Sequence, residues 1–147
     1  MTNEPANEAE EIAIRRLIAD RFRATRDKDS AAVIACQVAI PVHFSLAPPL
    51  LSVGSGDTAL QAWFDTWEGP IGYELAELTV SAGSDVGFAY GLVRMTGTKK
   101  GGQKADLWFR QTFGFRKVAG AWKIAHEHQS TPFYMDGSFR AAVDLKP

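Results

Sequence analysis

Asp106-Leu107-Trp108-Phe109-Arg110-Gln111-Thr112-Phe113-Gly114-Phe115-Arg116-Lys117 and Trp122-Lys123-Ile124-Ala125-His126-Glu127-His128-Gln129-Ser130-Thr131-Pro132-Phe133 stand on either side of a short turn at Ala119-Gly120. Both runs are dense in aromatic and β-branched residues, and a short glycine-containing break between two such runs predicts an antiparallel hairpin. Side chains alternate between the two faces of a strand. A regular strand therefore sets Trp122, Ile124, His126 and His128 on one face and Lys123, Glu127 and Gln129 on the other. Two imidazoles then extend an aromatic and aliphatic row. On the preceding run Leu107, Phe109, Phe113 and Phe115 form the larger apolar set, which should face the core and turn Arg110 outward.

Upstream of the hairpin the same alternation reaches back to Pro70. It predicts strands over Tyr73 to Ala82 and Val86 to Thr98, joined by Gly83-Ser84-Asp85 and followed by a loop from Lys99 to Gln103. Long strands in a small domain must curve, and Gly87, Gly91 and Gly114 are the candidate bend points. Before Pro70 the period is helical. Ile14, Leu17, Ile18 and Phe22 make one apolar stripe on a helix running from an N-cap at Asn7 to Arg26, with Arg15, Arg16, Arg21 and Arg23 read as a solvated face. Asp29 or Ser30 caps a short helix over Ala31 to Val38, which must stop before Pro41. Val42 to Leu46 alternates as a short strand ahead of Pro48-Pro49. Asp57 caps a third helix that carries Leu60, Trp63, Phe64 and Trp67 on one side and ends at Gly69-Pro70.

The fold class that follows is α+β: a cone-shaped roll of three N-terminal helices on a curved antiparallel sheet of four long strands plus one short one. The length suits a single domain over 1–147, with residues 1–6 as a flexible leader and 134–147 as an irregular tail. Lysine plus arginine number 16 against 17 aspartate plus glutamate, so no single-sign field exists to attract nucleic acid or an anionic membrane. The lone Cys36 has no partner for an internal disulfide and reads as a small buried hydrophobe. The start of the chain lacks the basic and apolar regions of a signal peptide, and no run is long enough to span a membrane, so a cytoplasmic location is expected.

A curved sheet around helices leaves an interior hollow. The expected ligand-binding residues are Phe44, Trp63, Trp67, Tyr90, Phe109, Gln111, Phe113, His126 and His128, with His126 and His128 as the candidate proton-transfer groups. The alternative for the two histidines is structural, a hydrogen bond to Ser130, Thr112 or the main chain. Metal is not expected: a third ligand would have to come from His43, Asp106 or Glu127, and no HExxH or CxxC spacing occurs. Glu127 faces away from the hollow unless a bulge reverses it.

The order helix, helix, strand, helix and four-stranded meander, with Trp122-Lys-Ile-Ala-His126-Glu-His128-Gln-Ser130 closing it, resembles the SnoaL-like branch of the superfamily that includes nuclear transport factor two and the ketosteroid isomerases. Ala47-Pro48-Pro49-Leu50, Gly69-Pro70-Ile71 and Trp108-Phe109-Arg110-Gln111-Thr112 share in the likeness. The resemblance implies a cone with an internal pocket and a homodimer formed through the outer sheet face. It does not imply one chemistry, because members include isomerases, cyclases, dehydratases, hydrolases and binding modules. The carboxylate pair of the ketosteroid-isomerase pattern is missing here, since Val42-His43-Phe44-Ser45 holds no acid and none accompanies Phe109, Gln111 and Phe113. The last hairpin also resembles the association domain of calmodulin-dependent kinase, whose pocket arginines are replaced by Phe113 and Gln129. The expectation is a protein that binds a small apolar or aromatic molecule without a bound cofactor. A cofactor-independent isomerase, lyase or hydrolase and a homo-oligomeric interaction module are the alternatives.

Overall fold

The computed structural model describes residues 4–147, arranged as three helices and six strands in one sheet. Helix α1 runs over Glu4–Arg26, α2 over Ser30–Ala35 and α3 over Asp57–Phe64. The strands are β1 Gln37–Phe44, β2 Ser52–Val53, β3 Trp67–Ala82, β4 Val86–Lys99, β5 Lys104–Val118 and β6 Ala121–Ser130. The helix count matches the reading of the sequence, but the strands number six where five were expected. The sixth is β2, a two-residue edge strand pairing with Val42 and His43, too short for alternation to reveal. Part of the expected leader, residues 1–3, lies outside the described residues; from Glu4 the chain is already helical.

In the sheet the order is β2-β1-β6-β5-β4-β3, so the last strand of the chain lies between β1 and β5. The β1–β6 pairing is parallel, and the other pairings are antiparallel. On α1, Ile14, Ile18 and Phe22 are almost fully buried against the sheet, each contributing on the order of 1.5–3 kcal/mol by leaving water. With them Phe113, Phe115, Ile124 and Trp122 complete the buried core between helix and sheet.

Several boundaries differ from expectation for local reasons. Helix α2 ends at Ala35, and Gln37 and Val38 already belong to β1, because pairing with β6 begins at Gln37 opposite Ile124. Asp29 caps α2 through its carboxylate, which accepts a hydrogen bond from the Ala32 amide at 3.0 Å. At α3 the cap position is taken by Gly56 at φ 65°, and Asp57 is the first helical residue, where its charge suits the dipole. Helix α3 stops at Phe64, so Trp67 opens β3 and Gly69-Pro70 falls inside a register irregularity of that strand. A second irregularity, between Ala76 and Thr79, lies across from Gly91, where a Cβ would stand 2.9 Å from the Ala76 carbonyl oxygen. Only glycine admits so close a bulge. The tail is a set of turns tied back by a single bridge between Phe133 and Ala141. Among the described residues no helix is long and apolar enough to cross a membrane.

Candidate functional site

The decisive local feature lies in the closing hairpin. Phe115 pairs with Ile124 but the next residue of β5, Gly114, pairs with His126, which leaves Ala125 as an extra residue in β6. That bulge shifts the alternation by one. Trp122 and Ile124 face the core as expected; beyond the bulge, Glu127 and Gln129 turn inward and His126 and His128 turn to the other face. The expectation that the two imidazoles project into the cone is therefore corrected. His126 donates from Nδ1 to the Val42 carbonyl at 2.7 Å, and Phe44 meets both imidazoles edge-on, at 4.8 Å from His126 and 5.1 Å from His128.

Inside the cone is a hollow of about 610 Å³ bounded by α1, α3, the 45–56 loop segment and the inner sheet face. Of the residues expected to line it, Phe44, Trp63, Trp67 and Phe109 do. Tyr90 does not: it stands on the outer face, half exposed and stacked on Phe88 at 6.4 Å, because even-numbered β4 residues point away from α1. Phe113 is fully buried in the core beneath the hollow, stacked on Phe115. Gln111 is buried one step behind the wall and accepts a hydrogen bond from Gln129 Nε2 at 2.9 Å. His126 and His128 are absent from the wall; His128 instead borders a separate outer recess with Phe44 and the 45–50 loop.

The polar floor consists of residues that sequence reasoning assigned elsewhere. Arg21 Nη2 lies 3.3 Å from Glu127 Oε2, with both side chains about nine-tenths buried. His43 Nε2 lies 3.5 Å from the same carboxylate oxygen and 3.3 Å from the Gln37 amide nitrogen. Arg21 also donates to Thr25, and the Gln129 amide donates to the Tyr73 hydroxyl at 2.9 Å. Burial disfavours charge on Arg21, yet the Glu127 carboxylate and the Tyr73 oxygen beside it outweigh that, holding the guanidinium above its ordinary value. For His43 burial dominates over the attraction of Glu127, with Arg21 and His126 adding to the depression, so the imidazole titrates below its usual range. Burial pushes the Tyr73 hydroxyl up to about 12, so it keeps its proton.

This arrangement has definite chemical capacities. An unprotonated His43 Nε2 accepts from Gln37, and a protonated one is drawn to Glu127, so the imidazole has a partner in each state. Tyr73 accepts from Gln129 and retains its own O–H for a ligand. Arg21 Nε, Gln37 Oε1 and Trp67 Nε1, all on residues that line the hollow, are buried without a partner among the described residues. Among the described residues, no three His, Cys, Asp or Glu side chains gather as a metal site.

Two signals for this floor were present in the sequence. Arg21 follows Ile14 and Ile18 at seven and three residues, on the apolar stripe itself, so it was never on the solvated face with Arg15, Arg16 and Arg23. His43 alternates with Val42 and Phe44, which marks it as facing one side of a strand without saying which. The inward turn of Glu127 was signalled only through Gly114 on the facing strand, since nothing in Ile124-Ala125-His126 itself announces a bulge.

Comparison with known proteins agrees with the architecture. A family model described as a SnoaL-like domain matches residues 14–134. An NTF2-like protein of unknown function from Pseudomonas putida KT2440 is similar at 33% identity over 95% of this chain and 98% of its own, with a TM-score of 0.86. A ketosteroid isomerase-like protein from Erwinia carotovora atroseptica is 25% identical over 82% of this chain and 95% of its own, with a TM-score of 0.68. A nuclear transport factor 2-like superfamily protein from Salmonella enterica Typhimurium shares the fold at 15% identity, covering 89% of this chain and 96% of its own, with a TM-score of 0.76. No curated protein matches the sequence. With the matched segment spanning α1 to the end of the closing hairpin, the chain belongs to the SnoaL-like family of the NTF2-like superfamily.

Proposed function

We propose that the chain binds a mainly apolar small molecule inside the cone and that His43, paired with Glu127, can exchange a proton with it. The observation that carries the reading is a hollow of about 610 Å³ whose walls are largely apolar and whose floor holds a buried ion pair, an imidazole and unpartnered polar atoms. Pockets of that size, with few convergent polar groups and a perturbed histidine, are the usual form of small-molecule sites. The proton-transfer role passes from His126 and His128 to His43, because those two imidazoles lie across the sheet from the hollow. No resident cofactor enters the proposal.

The test uses phenylnaphthylamine, an uncharged aromatic probe that fluoresces on leaving water. The wild-type chain should bind it saturably, and Ala105→Trp, which places an indole into the hollow, should abolish the signal with little change in melting temperature. Native mass spectrometry of the purified protein should also reveal any carried-over ligand. A probe signal unchanged by Ala105→Trp would sink the reading. If catalysis accompanies binding, His43→Gln should remove turnover while leaving probe affinity in place.

A second proposal concerns the outer sheet face. Phe88 and Tyr90 stack there at half exposure, a pairing that suits a homodimer through this face.

A further inference from the structure

The charged side chains that line the hollow are Arg21, Glu127 and Lys99. Arg21 and Glu127 neutralise one another at the floor, 3.3 Å apart. Lys99 stands at the other end, the last residue of β4, and forms no ion pair among the described residues. Its ammonium is nevertheless held in place. It donates to Thr66 Oγ1 at 2.8 Å and lies 3.9 Å above the Trp67 ring and 5.4 Å from that of Trp63. The hollow thus carries one uncompensated positive charge, fixed between two indoles.

A second donor belongs to the indole that this ammonium overlies. Trp67 is 2% exposed and its Nε1–H has no partner among the described residues. Gly97 packs against the Cε3 and Cζ3 edge of that indole, where a Cβ would come within 2.8 Å, so the N–H lies on the ring's opposite edge. An indole N–H buried without an acceptor, beside an ammonium without a counter-charge, is a pair of donors awaiting one anionic group. Partial burial also holds the Lys99 ammonium below its ordinary value.

We infer that the ligand is an organic acid: an apolar, aromatic-sized body in the hollow with its anionic group on Lys99 Nζ and the Trp67 indole N–H. The inference rests on the hollow being the ligand site. Leu60, Met95 and Leu107 supply apolar wall beside the two indoles. At the floor Glu127 already balances the charge of Arg21, so no net positive charge is left there for the anionic group.

Anilinonaphthalene sulfonate and phenylnaphthylamine share one aromatic body and differ in the sulfonate, so together they separate the two levels of the reading. At low salt the wild-type chain should bind the sulfonate roughly tenfold more tightly than the uncharged parent, the gain expected of a charge-assisted contact. Lys99→Met keeps the apolar stem and should erase that preference while leaving the parent's affinity within about twofold; Trp67→Phe should reduce sulfonate affinity a few-fold. Lys99→Gln provides the same test should the methionine variant misfold. A preference that survives removal of Lys99, or equal binding of both probes by the wild-type chain, overturns the acid assignment and leaves the hollow reading intact. Failure of both probes to bind overturns both.

Discussion

Glu127 is the residue on which most of the site's electrostatics converge. It compensates Arg21, whose side chain is only 10% exposed, and it lies within ion-pair reach of His43. Removing one member of a buried pair strands the other, which typically costs about 3–5 kcal/mol, whereas replacing both by apolar groups is often close to neutral. Glu127→Gln should therefore lower unfolding stability by roughly 3 kcal/mol, and the double change Arg21→Met with Glu127→Leu should recover most of it. Urea denaturation of the three proteins checks this; a single-variant loss near zero would mean the pair is hydrated. His43 gives a pH signature. Its folded value lies below the ordinary 6.5, so below that pH the unfolded chain takes up a proton that the folded chain resists. Stability should be complete above pH 6.5 and decline as the pH falls through the depressed folded value. The urea midpoint should drop between pH 7.5 and 5.5, and His43→Asn should shrink that drop. At this scale the sequence was only half legible. Arg21 betrays itself by its place on the Ile14–Ile18 stripe, but its charge suggested water. His43 could be placed on a strand face but not matched with Glu127, because the pairing arises between strands 84 residues apart in the chain, as Val42 and His126 are.

At the scale of elements, alternation and helical spacing found the three helices, the long strands and the closing hairpin. What they missed were departures from regularity. One extra residue at Ala125 moved both histidines from the predicted face to the opposite one, an outcome inherent in a period of two. The bulge lies on the strand facing Gly114, so the glycine marked the neighbourhood but not the strand. Trp67 was misplaced for a related reason: its spacing from Leu60 and Trp63 fits a helix, yet β3 begins there by pairing with Lys99. The seating of that indole is testable. Gly97→Ala puts a methyl into the Trp67 ring edge, and overpacking of that kind costs about 1–3 kcal/mol. The variant should melt at lower temperature and lose near-ultraviolet circular dichroism from the displaced indole. Unchanged spectra would show that the indole keeps its place without Gly97.

For the whole molecule, the α+β class and its family were readable because all three helices precede the long alternating strands, which begin at Trp67, and because the closing strand has a distinctive pattern. The proposed dimer belongs to this scale. Phe88→Lys with Tyr90→Lys should shift sedimentation from dimer to monomer while leaving probe binding in the hollow unaltered. A wild-type monomer at micromolar concentration would rule out the outer-face contact. The parallel pairing of β1 with β6 has a consequence in time as well as in space. The site's two sides, His43 on the first strand and Glu127 on the last, meet only when residues separated by most of the chain find one another. Contacts of such long range slow folding, since the intervening loop must close before they reward it. During synthesis, then, His43 must wait without its carboxylate neighbour until the closing hairpin has left the ribosome. No ligand can assist until the final strand has emerged and docked.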